Sequence, residues 1–254
     1  SATKRNPEWA HHMFTLFCQT LYHTGLDKIV LDNGSNQQTP PWQISNAAGF
    51  NKNAEIAPRT MGWLGVKRTV IGTVTADPGK GAPKPRAMRF PETNSLVNWM
   101  GLPGIGAEKV AERLWNYTDS RLPITINLMS TPQKSGRKLL RDLEKTTLTT
   151  IGISNVDRLE LNLSCPNTHG ADGKIDARAS NQDQQEPMID IVRSNMYATQ
   201  DLYVKVSPDL DERSIDKLIR ICDKYDVAGF TTTNTTTHHD KRYIPKSPEQ
   251  GGAS

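Results

Sequence analysis

Cysteine is scarce in this sequence. Its 254 residues include only Cys18, Cys165 and Cys222, an odd and widely spaced set with no C-x-x-C pair. Such a set excludes a disulfide framework and a zinc site built on paired cysteines. We therefore expect a protein of a reducing compartment that binds no metal.

Long apolar runs and strong charge are missing as well. No segment approaches the roughly 20 apolar residues that cross a bilayer, and no signal-peptide pattern is visible. The net charge is only +4, aromatic residues make up 6%, and lysine and arginine form no block with interleaved aromatics. These absences argue against nucleic-acid binding and predict a soluble, cytoplasmic protein.

The chain does contain a regular alternation of two kinds of segment. Short strand-like runs occupy 43–50, 69–74, 123–128, 159–164, 202–207 and 227–234. Helix-like stretches lie between them, at 54–64, 106–117, 136–148, 187–195 and 212–225. Strands that alternate with helices predict parallel βαβ units.

Two parallel architectures fit that alternation, an open doubly wound sheet and a closed barrel. The G-x-G-x-x-G turn typical of the open sheet is absent, because the first run ends in "NAAGFNKN". Polar residues stand at or near the carboxyl ends of the runs: Asn46, Thr73, Asn127, Asn162, Lys205 and Asn234. A barrel gathers such ends around one mouth, so we predict an α/β fold, the (β/α)8 TIM barrel. Since about six of its eight units are legible, we expect the barrel in 41–254 to be C-terminally incomplete.

Residues 1–40 are predicted to form a helical extension. Asn6 and Pro7 suit an N-cap and a first helical position. A helix over 6–22 would carry an apolar stripe of Trp9, Met13, Phe14, Phe17 and Leu21. This stripe fits either a helix packed on the barrel or a surface helix that touches lipid or a lipophilic substrate. In the second case Lys4 and Arg5 would favour peripheral contact with the inner face of the cell membrane.

The stretch "LELNLSCPNTHG" at 159–170 combines strand alternation with an unusual ending. Asn162, Cys165 and Asn167 gather where the strand stops. A lone cysteine is most often an inert core residue, and we assign that role to Cys18 and Cys222. A position directly before Pro166, at the start of a loop, is not a core position, so Cys165 is a candidate for chemistry.

Seven segments, in order, resemble one enzyme family. They are "NAAGFNKN", "GTVTADPGKGAPKPR", "NSLVNWMGLPGIG", "INL", "LNLSCPNT", "VKVSPDL" and "TTTNTT", and together they are similar to dihydroorotate dehydrogenase, the flavin enzyme of pyrimidine synthesis. The resemblance implies oxidation of dihydroorotate to orotate with hydride transfer to FMN, on the route to UMP. The start "NPEWAHH" resembles the membrane-associated, quinone-using class of that family.

The resemblance also implies roles for individual residues. Cys165 would be the catalytic base that removes a proton from C5 of dihydroorotate. Substrate contacts would come from Lys52, Asn98, Asn162, Asn167, Asn234 and Thr235. FMN contacts would come from Ala48, Gly49, Lys52, Thr73, Asn127, Asn162, Lys205, Thr233 and Ser254. Arg86 matches an arginine on the acceptor side.

The electron acceptor stays open between two classes. A cysteine base and "MGLPGIG" are typical of the soluble class, which uses fumarate or NAD, whereas the N-terminal helix is typical of the quinone class. We expect quinone, because the soluble class has no counterpart of that helix. A third alternative is a non-catalytic remnant of the barrel, since "EQGGAS" ends before the loops that commonly hold a phosphate in such barrels.

Overall fold

A computed structural model describes residues 6–31, 43–117, 121–164, 182–244 and 251–253. Its helices are α1 (Pro7–Thr24), α2 (Leu26–Leu31), α3 (Pro58–Trp63), α4 (Ala107–Trp115), α5 (Gly136–Ile151), α6 (Gln182–Ser194) and α7 (Glu212–Lys224). Its strands are β1 (Thr69–Val74), β2 (Ala87–Phe90), β3 (Ser95–Asn98), β4 (Ile124–Leu128), β5 (Val156–Asn162), β6 (Asp201–Val206), β7 (Gly229–Thr232) and β8 (Gly252–Ala253).

The main sheet has five strands in the order β1-β4-β5-β6-β7, and every neighbouring pair is parallel. The predicted alternation of strands and helices from β1 to β7 is therefore confirmed. Its helix boundaries needed one large change: α6 begins at Gln182 and carries Pro187 inside it, whereas the predicted stretch began at residue 187.

The two faces of this sheet differ in chemistry. Outward-facing aliphatic residues such as Ile126, Leu161 and Val204 are fully buried in one apolar cluster with α4 to α7. The alternate residues, among them Thr125 and Glu160, point to the inner face and are also buried. Period-2 patterning thus gives an apolar outer layer and a polar inner layer.

The predicted strand at 43–50 is wrong. This segment makes only isolated parallel bridges, from Ser45 to Arg68 and from Asn51 to Ile71. The Asn46 side chain accepts a hydrogen bond from the Val70 N–H (3.0 Å) and donates one to the Val70 carbonyl (2.7 Å). The Asn46 side-chain amide therefore makes the hydrogen bonds to β1 that the backbone of a neighbouring strand would make. The chain can then turn through Gly49, whose φ is +101°.

A small antiparallel sheet was not predicted. β2 and β3 form a hairpin, and β8 pairs with β3. The turn between β2 and β3 ends at Asn94 in the left-handed region. Gly251 leads into β8 with a φ of +102°, and a side chain there would lie 2.4 Å from the Asn98 carbonyl oxygen. Only glycine allows β8 to approach β3 so closely.

The N-terminal helix is confirmed as α1, with one packed side and one exposed side, and its contact with lipid stays a prediction. Asn6 caps it through the Glu8 N–H, and Gly25 ends it in the left-handed region. One side packs on the barrel, with Cys18 fully buried in a cluster with Ile56 and Met61. The other side is an exposed apolar face, formed by Trp9, Met13, Leu16 and Phe17.

The N-terminal extension raises two questions, whether a helix crosses a membrane and where the extension ends. Among the described residues, no helix has the length and apolar character needed to cross a bilayer. The predicted domain boundary at residue 40 falls within 32–42, which lies outside the described residues, so that division stays a prediction.

Candidate functional site

A cavity of about 640 Å³ opens at the carboxyl ends of the parallel strands. The loop at 47–52, the ends of β1, β5 and β6, the segment after β7 and the small sheet all contribute to it. Its lining residues are Ala47, Ala48, Gly49, Lys52, Thr73, Leu96, Asn98, Met100, Leu102, Asn162, Lys205, Pro208, Thr233, Asn234, Thr235, Thr236 and Ala253.

Most of the predicted site residues meet in this cavity. Those that line it are Ala48, Gly49, Lys52, Thr73, Asn98, Asn162, Lys205, Thr233, Asn234 and Thr235. Asn127 does not line it but is fully buried on the inner face of β4. Cys165, Asn167 and Ser254 lie outside the described residues, so their roles stay predictions.

Lys205 gives the cavity its most informative charge. It is 6% exposed, lies opposite Asn162 on β5 and Thr231 on β7, and lines the cavity. Among the described residues, nothing forms an ion pair or hydrogen bond with its ammonium group. A buried cation without a counter-ion is costly, so this position suits an anionic ligand.

The asparagines at the strand ends are held by one another and by their neighbours. Asn162 donates to the Thr73 hydroxyl (3.2 Å) and accepts from the Ser164 N–H (3.2 Å). Asn234 donates to the Ser164 carbonyl (2.9 Å), and its own carbonyl accepts from the Thr235 N–H (2.9 Å). This network joins the ends of β1, β5 and β7 and fixes the amides at the cavity wall.

Asp209 anchors the segment that follows Asn234. Its carboxylate accepts hydrogen bonds from the Thr236 hydroxyl (2.5 Å) and from the N–H and hydroxyl of Thr237 (both 2.7 Å). Burial disfavours the charged form, but these hydrogen bonds outweigh burial and lower the pKa of Asp209. Since Thr236 also pairs with Ala253, Asp209 ties the β6 loop to the small sheet.

Two buried oxygens near the site, the Asn127 Oδ1 and the Thr235 Oγ1, find no hydrogen-bond partner among the residues that the structure describes. Buried polar atoms in native proteins are nearly always paired. One such atom in the cavity wall, on Thr235, and another on the inner face of the sheet, on Asn127, are therefore features that favour a polar ligand.

The apolar part of the wall was not predicted. Leu96 from the hairpin, with Met100 and Leu102 just after it, faces the same cavity as Lys205. Leu96 and Asn98 stand two positions apart in β3 (Ser95–Asn98) and both line the cavity, as period-2 alternation requires of residues on one face of a strand. Recognition of this strand would therefore have placed Leu96 beside Asn98.

Cys18 and Cys222 are buried free cysteines. Burial raises the pKa of the Cys18 thiol to about 11 and that of Cys222 to about 12, so both stay protonated near neutral pH, as expected for core residues. In the ranges that the structure describes, His, Cys, Asp and Glu form no group of three that could hold a metal ion.

Arg86 lies at the junction of α1 and the hairpin. Its Nε donates to the Glu8 carboxylate (2.6 Å), and both side chains are largely buried, at 12% and 14% exposed. Nearby, the Phe50 ring contacts the rings of His11 and Phe14 on α1, with centroids 5.3 and 5.8 Å apart. Because Phe50 directly follows the cavity residue Gly49, α1 packs on the back of the cavity wall.

Curated relatives and solved structures resemble this chain over most of its length. A protein named dihydroorotate dehydrogenase (quinone) from Natronomonas pharaonis is 33% identical over 218 residues, which is 85% of this chain and 59% of that protein. Its namesake from Haloarcula marismortui is 34% identical over 212 residues, 83% of this chain and 57% of that protein. The chain thus spans less than two thirds of these relatives.

The fold is shared with crystal structures of DHODH from Eimeria tenella. The complex with ferulenol has a TM-score of 0.79 at 22% identity, and the match covers 100% of this chain and 74% of the Eimeria tenella chain. The ligand-free structure has a TM-score of 0.78 at 23% identity, covering 98% and 75%. These likenesses confirm the predicted (β/α)8 barrel fold.

The sequence match extends well beyond isolated motifs. The family profile for dihydroorotate dehydrogenase aligns with residues 38–254, a range that includes the whole parallel sheet and every described residue of the cavity. On the strength of that match, this chain belongs to the dihydroorotate dehydrogenase family.

Proposed function

We propose that the protein oxidises dihydroorotate to orotate, with FMN as cofactor and a quinone as electron acceptor. The observation that carries this proposal is the meeting of Lys52, Lys205 and the asparagine amides around one cavity. Membership of the family and the names of the curated relatives support it.

The residues of the cavity fit FMN. Gly49, with its positive φ, and the small Ala48 let a flat ring lie close to the backbone. Lys205 supplies a cation without a counter-ion, and Asn127 and Thr235 supply buried oxygens that can accept hydrogen bonds. When bound, FMN supplies the two-electron redox chemistry that no amino-acid side chain provides. Thr73, Asn162 and Thr233 would complete its contacts, and Ser254 stays a proposed phosphate contact.

The substrate would be held by complementary amides and one cation. Dihydroorotate is a ring edged with N–H and C=O groups, and Asn98, Asn162 and Asn234 each offer a donor and an acceptor. Lys52 would pair with its carboxylate, while Thr235 and Asn167 would add contacts. Because Ser164 and Thr73 hold Asn162 and Asn234 in place, little side-chain entropy remains to be lost on binding.

Cys165 is proposed as the base. It directly follows Ser164, whose backbone and hydroxyl are bound to Asn162 and Asn234, so the residue before it is held beside the cavity. The C5–H bond of dihydroorotate would break, with its proton passing to the Cys165 Sγ as thiolate. The hydrogen at C6 would leave with its electron pair as a hydride, for which FMN is the proposed acceptor, and the C5–C6 double bond of orotate would form.

Quinone is proposed as the acceptor because α1 offers it an apolar surface. Trp9, Met13, Leu16 and Phe17 are 42–52% exposed on one face. The same helix reaches the cavity wall through Phe50 and is fixed by the ion pair of Glu8 with Arg86. We also propose that this face makes peripheral contact with a membrane at its inner, cytoplasmic side, where a lipophilic quinone would be met.

The first experiment asks whether the full-length protein carries flavin and uses it. We expect FMN absorbance in the purified protein, bleaching of that absorbance by dihydroorotate without oxygen, and its return on addition of a short-chain quinone. Lys205→Met should abolish the bleaching, because it removes the buried cation that is proposed to contact the flavin. The matched control is Lys67→Met, an exposed lysine before β1, which should behave like wild type.

Each outcome has a distinct meaning. A folded protein without affinity for added FMN would refute the proposed cofactor and reaction. A protein whose bleached flavin is reoxidised by fumarate or NAD⁺ but not by quinone would refute the proposed acceptor alone.

A further inference from the structure

Glu160 is a buried carboxylate directly beneath the cavity. It is 5% exposed and lies two residues before Asn162 on β5, so both side chains point to the inner face. Asn127 on β4 is its register partner, and Thr231 on β7 lies two residues before the cavity residue Thr233. These three residues therefore form the layer on which the cavity rests.

Both oxygens of Glu160 accept hydrogen bonds from this layer. The Asn127 Nδ2 donates to Oε1 (2.5 Å), and the Thr231 hydroxyl donates to Oε2. An ionised carboxylate can only accept hydrogen bonds. Asn127 must therefore turn its NH₂ group towards Glu160, and its carbonyl oxygen must point away.

That carbonyl oxygen, Asn127 Oδ1, is buried and has no partner in the described part of the chain. A buried acceptor without a donor is unfavourable, and the side chain carrying it is 0% exposed. A ligand that brings an N–H group to this atom would remove the penalty. The imide N–H of a flavin ring is a donor of that kind.

We propose that Glu160 is a positioning residue, which sets the orientation of the Asn127 amide so that its oxygen accepts the imide N–H of the bound flavin. The inference rests on the proposed function, since it needs FMN in the cavity. Glu160 acts through Asn127 and does not itself touch the cofactor. Glu160 would thus contribute to ligand recognition, a role that its place in the alternating pattern of β5 does not indicate.

The test is a double-mutant cycle on FMN affinity in the full-length protein, read from quenching of flavin fluorescence. Glu160→Gln can offer its own NH₂ group to Asn127 and so permit the wrong orientation. We expect its FMN Kd to rise about tenfold, the effect of one lost hydrogen bond. In the background of Asn127→Ala, the same substitution should change Kd less than twofold, because the residue it positions is gone.

A purely structural contribution of this hydrogen-bonded layer is distinguished from positioning of Asn127 by measuring stability beside FMN affinity. Thr231→Val removes the other donor to Glu160, so it should lower the melting temperature while leaving the FMN Kd within twofold of wild type. An equal rise in Kd from Glu160→Gln with and without Asn127→Ala would overturn the proposal, as would an unchanged Kd in Glu160→Gln.

An FMN analogue keeps the test decisive if Glu160→Gln does not fold. FMN methylated at the imide nitrogen lacks the N–H donor, so wild type should bind it about tenfold more weakly than FMN, and Asn127→Ala should bind the two alike. Wild-type protein that binds both equally would overturn the inference while leaving the proposed function intact. Failure of wild type to bind FMN at all would instead refute the proposed function.

Discussion

Replacing Asp27 should detach the N-terminal helices from the barrel. The Asp27 side chain is 0% exposed, and Arg59 on α3 donates to its Oδ1 at 2.8 Å. The Thr60 hydroxyl donates to its Oδ2 at 2.7 Å. Arg59 also donates to the Tyr22 carbonyl and stacks on the Tyr22 ring, 4.4 Å from its centroid. One carboxylate therefore joins α1, α2 and α3.

The expected magnitude follows from this burial. Removing one partner of a buried ion pair destabilises a protein by about 3–5 kcal/mol, because the other charge is left without compensation. For Asp27→Asn, which preserves volume, we expect the lower end, a loss of about 3 kcal/mol in the free energy of unfolding. At roughly 2–4 °C per kcal/mol for a chain of this size, the melting temperature should fall by about 6–12 °C.

The assay is urea unfolding of the full-length protein, followed by tryptophan fluorescence. Asp240→Asn is the matched control, because its ion pair with Arg242 is exposed, and it should leave the midpoint unchanged. In a double-mutant cycle with Arg59→Met, a coupling energy below about 0.5 kcal/mol would refute the reasoning.

The same pair predicts a pH dependence. Burial raises the pKa of Asp27, but the hydrogen bonds from Arg59 and Thr60 and the charge of Arg59 outweigh it, so the pKa lies below its usual value. A depressed pKa stabilises the folded state above the unfolded pKa of about 4. The stability difference between wild type and Asp27→Asn should therefore be constant above about pH 5 and shrink as the pH falls below about 4. A difference that grows on acidification would contradict this sign.

Variants at three further positions, Cys165, Phe17 and Asp209, test the remaining parts of the proposal. Cys165→Ala should lower turnover by about 10²–10⁴ with FMN still bound, and near-normal turnover in this variant would exclude Cys165 as the base. The rate should rise with pH as the thiol ionises, and Cys165→Ser should move that rise to higher pH because a hydroxyl gives up its proton less readily. Phe17→Glu should weaken binding to anionic vesicles and raise the KM for quinone, whereas Leu148→Glu, on the equally exposed Leu148 of α5, should change neither. Asp209→Ala should raise the KM for dihydroorotate several-fold, because it releases the segment after Asn234, and an unaltered KM would refute that role.

Much of the barrel could be predicted because its strands show two patterns. Apolar residues alternate with polar ones along the strands, and polar residues stand at the carboxyl ends. In β5, Leu159 and Leu161 alternate with polar residues, which marks both the strand and its two faces. Asn162, Lys205 and Asn234 were predicted at the cavity because parallel strands bring their carboxyl ends together.

The errors have equally local causes. The segment 43–50 has the composition of a strand, but the Asn46 side chain takes the place of a backbone partner. The hairpin was missed because Met88 and Arg89 of β2 are exposed and the pairing of β3 with β8 joins residues far apart in sequence. Glu160 was overlooked because a polar residue within a strand usually faces solvent, whereas here it lies inside a barrel.

The polar inner face makes strand register an all-or-none choice. A shift of β5 by one residue would turn Leu159 and Leu161 towards the charged interior and press Arg158 and Glu160 against the aliphatic side of α5 and α6. No intermediate pairing satisfies both faces, so insertions or deletions of one residue within β4 to β7 should be rare among related sequences. Insertions after the strands leave this register untouched, and those loops form the cavity wall. A family built on such a sheet can alter what it binds while its framework stays fixed.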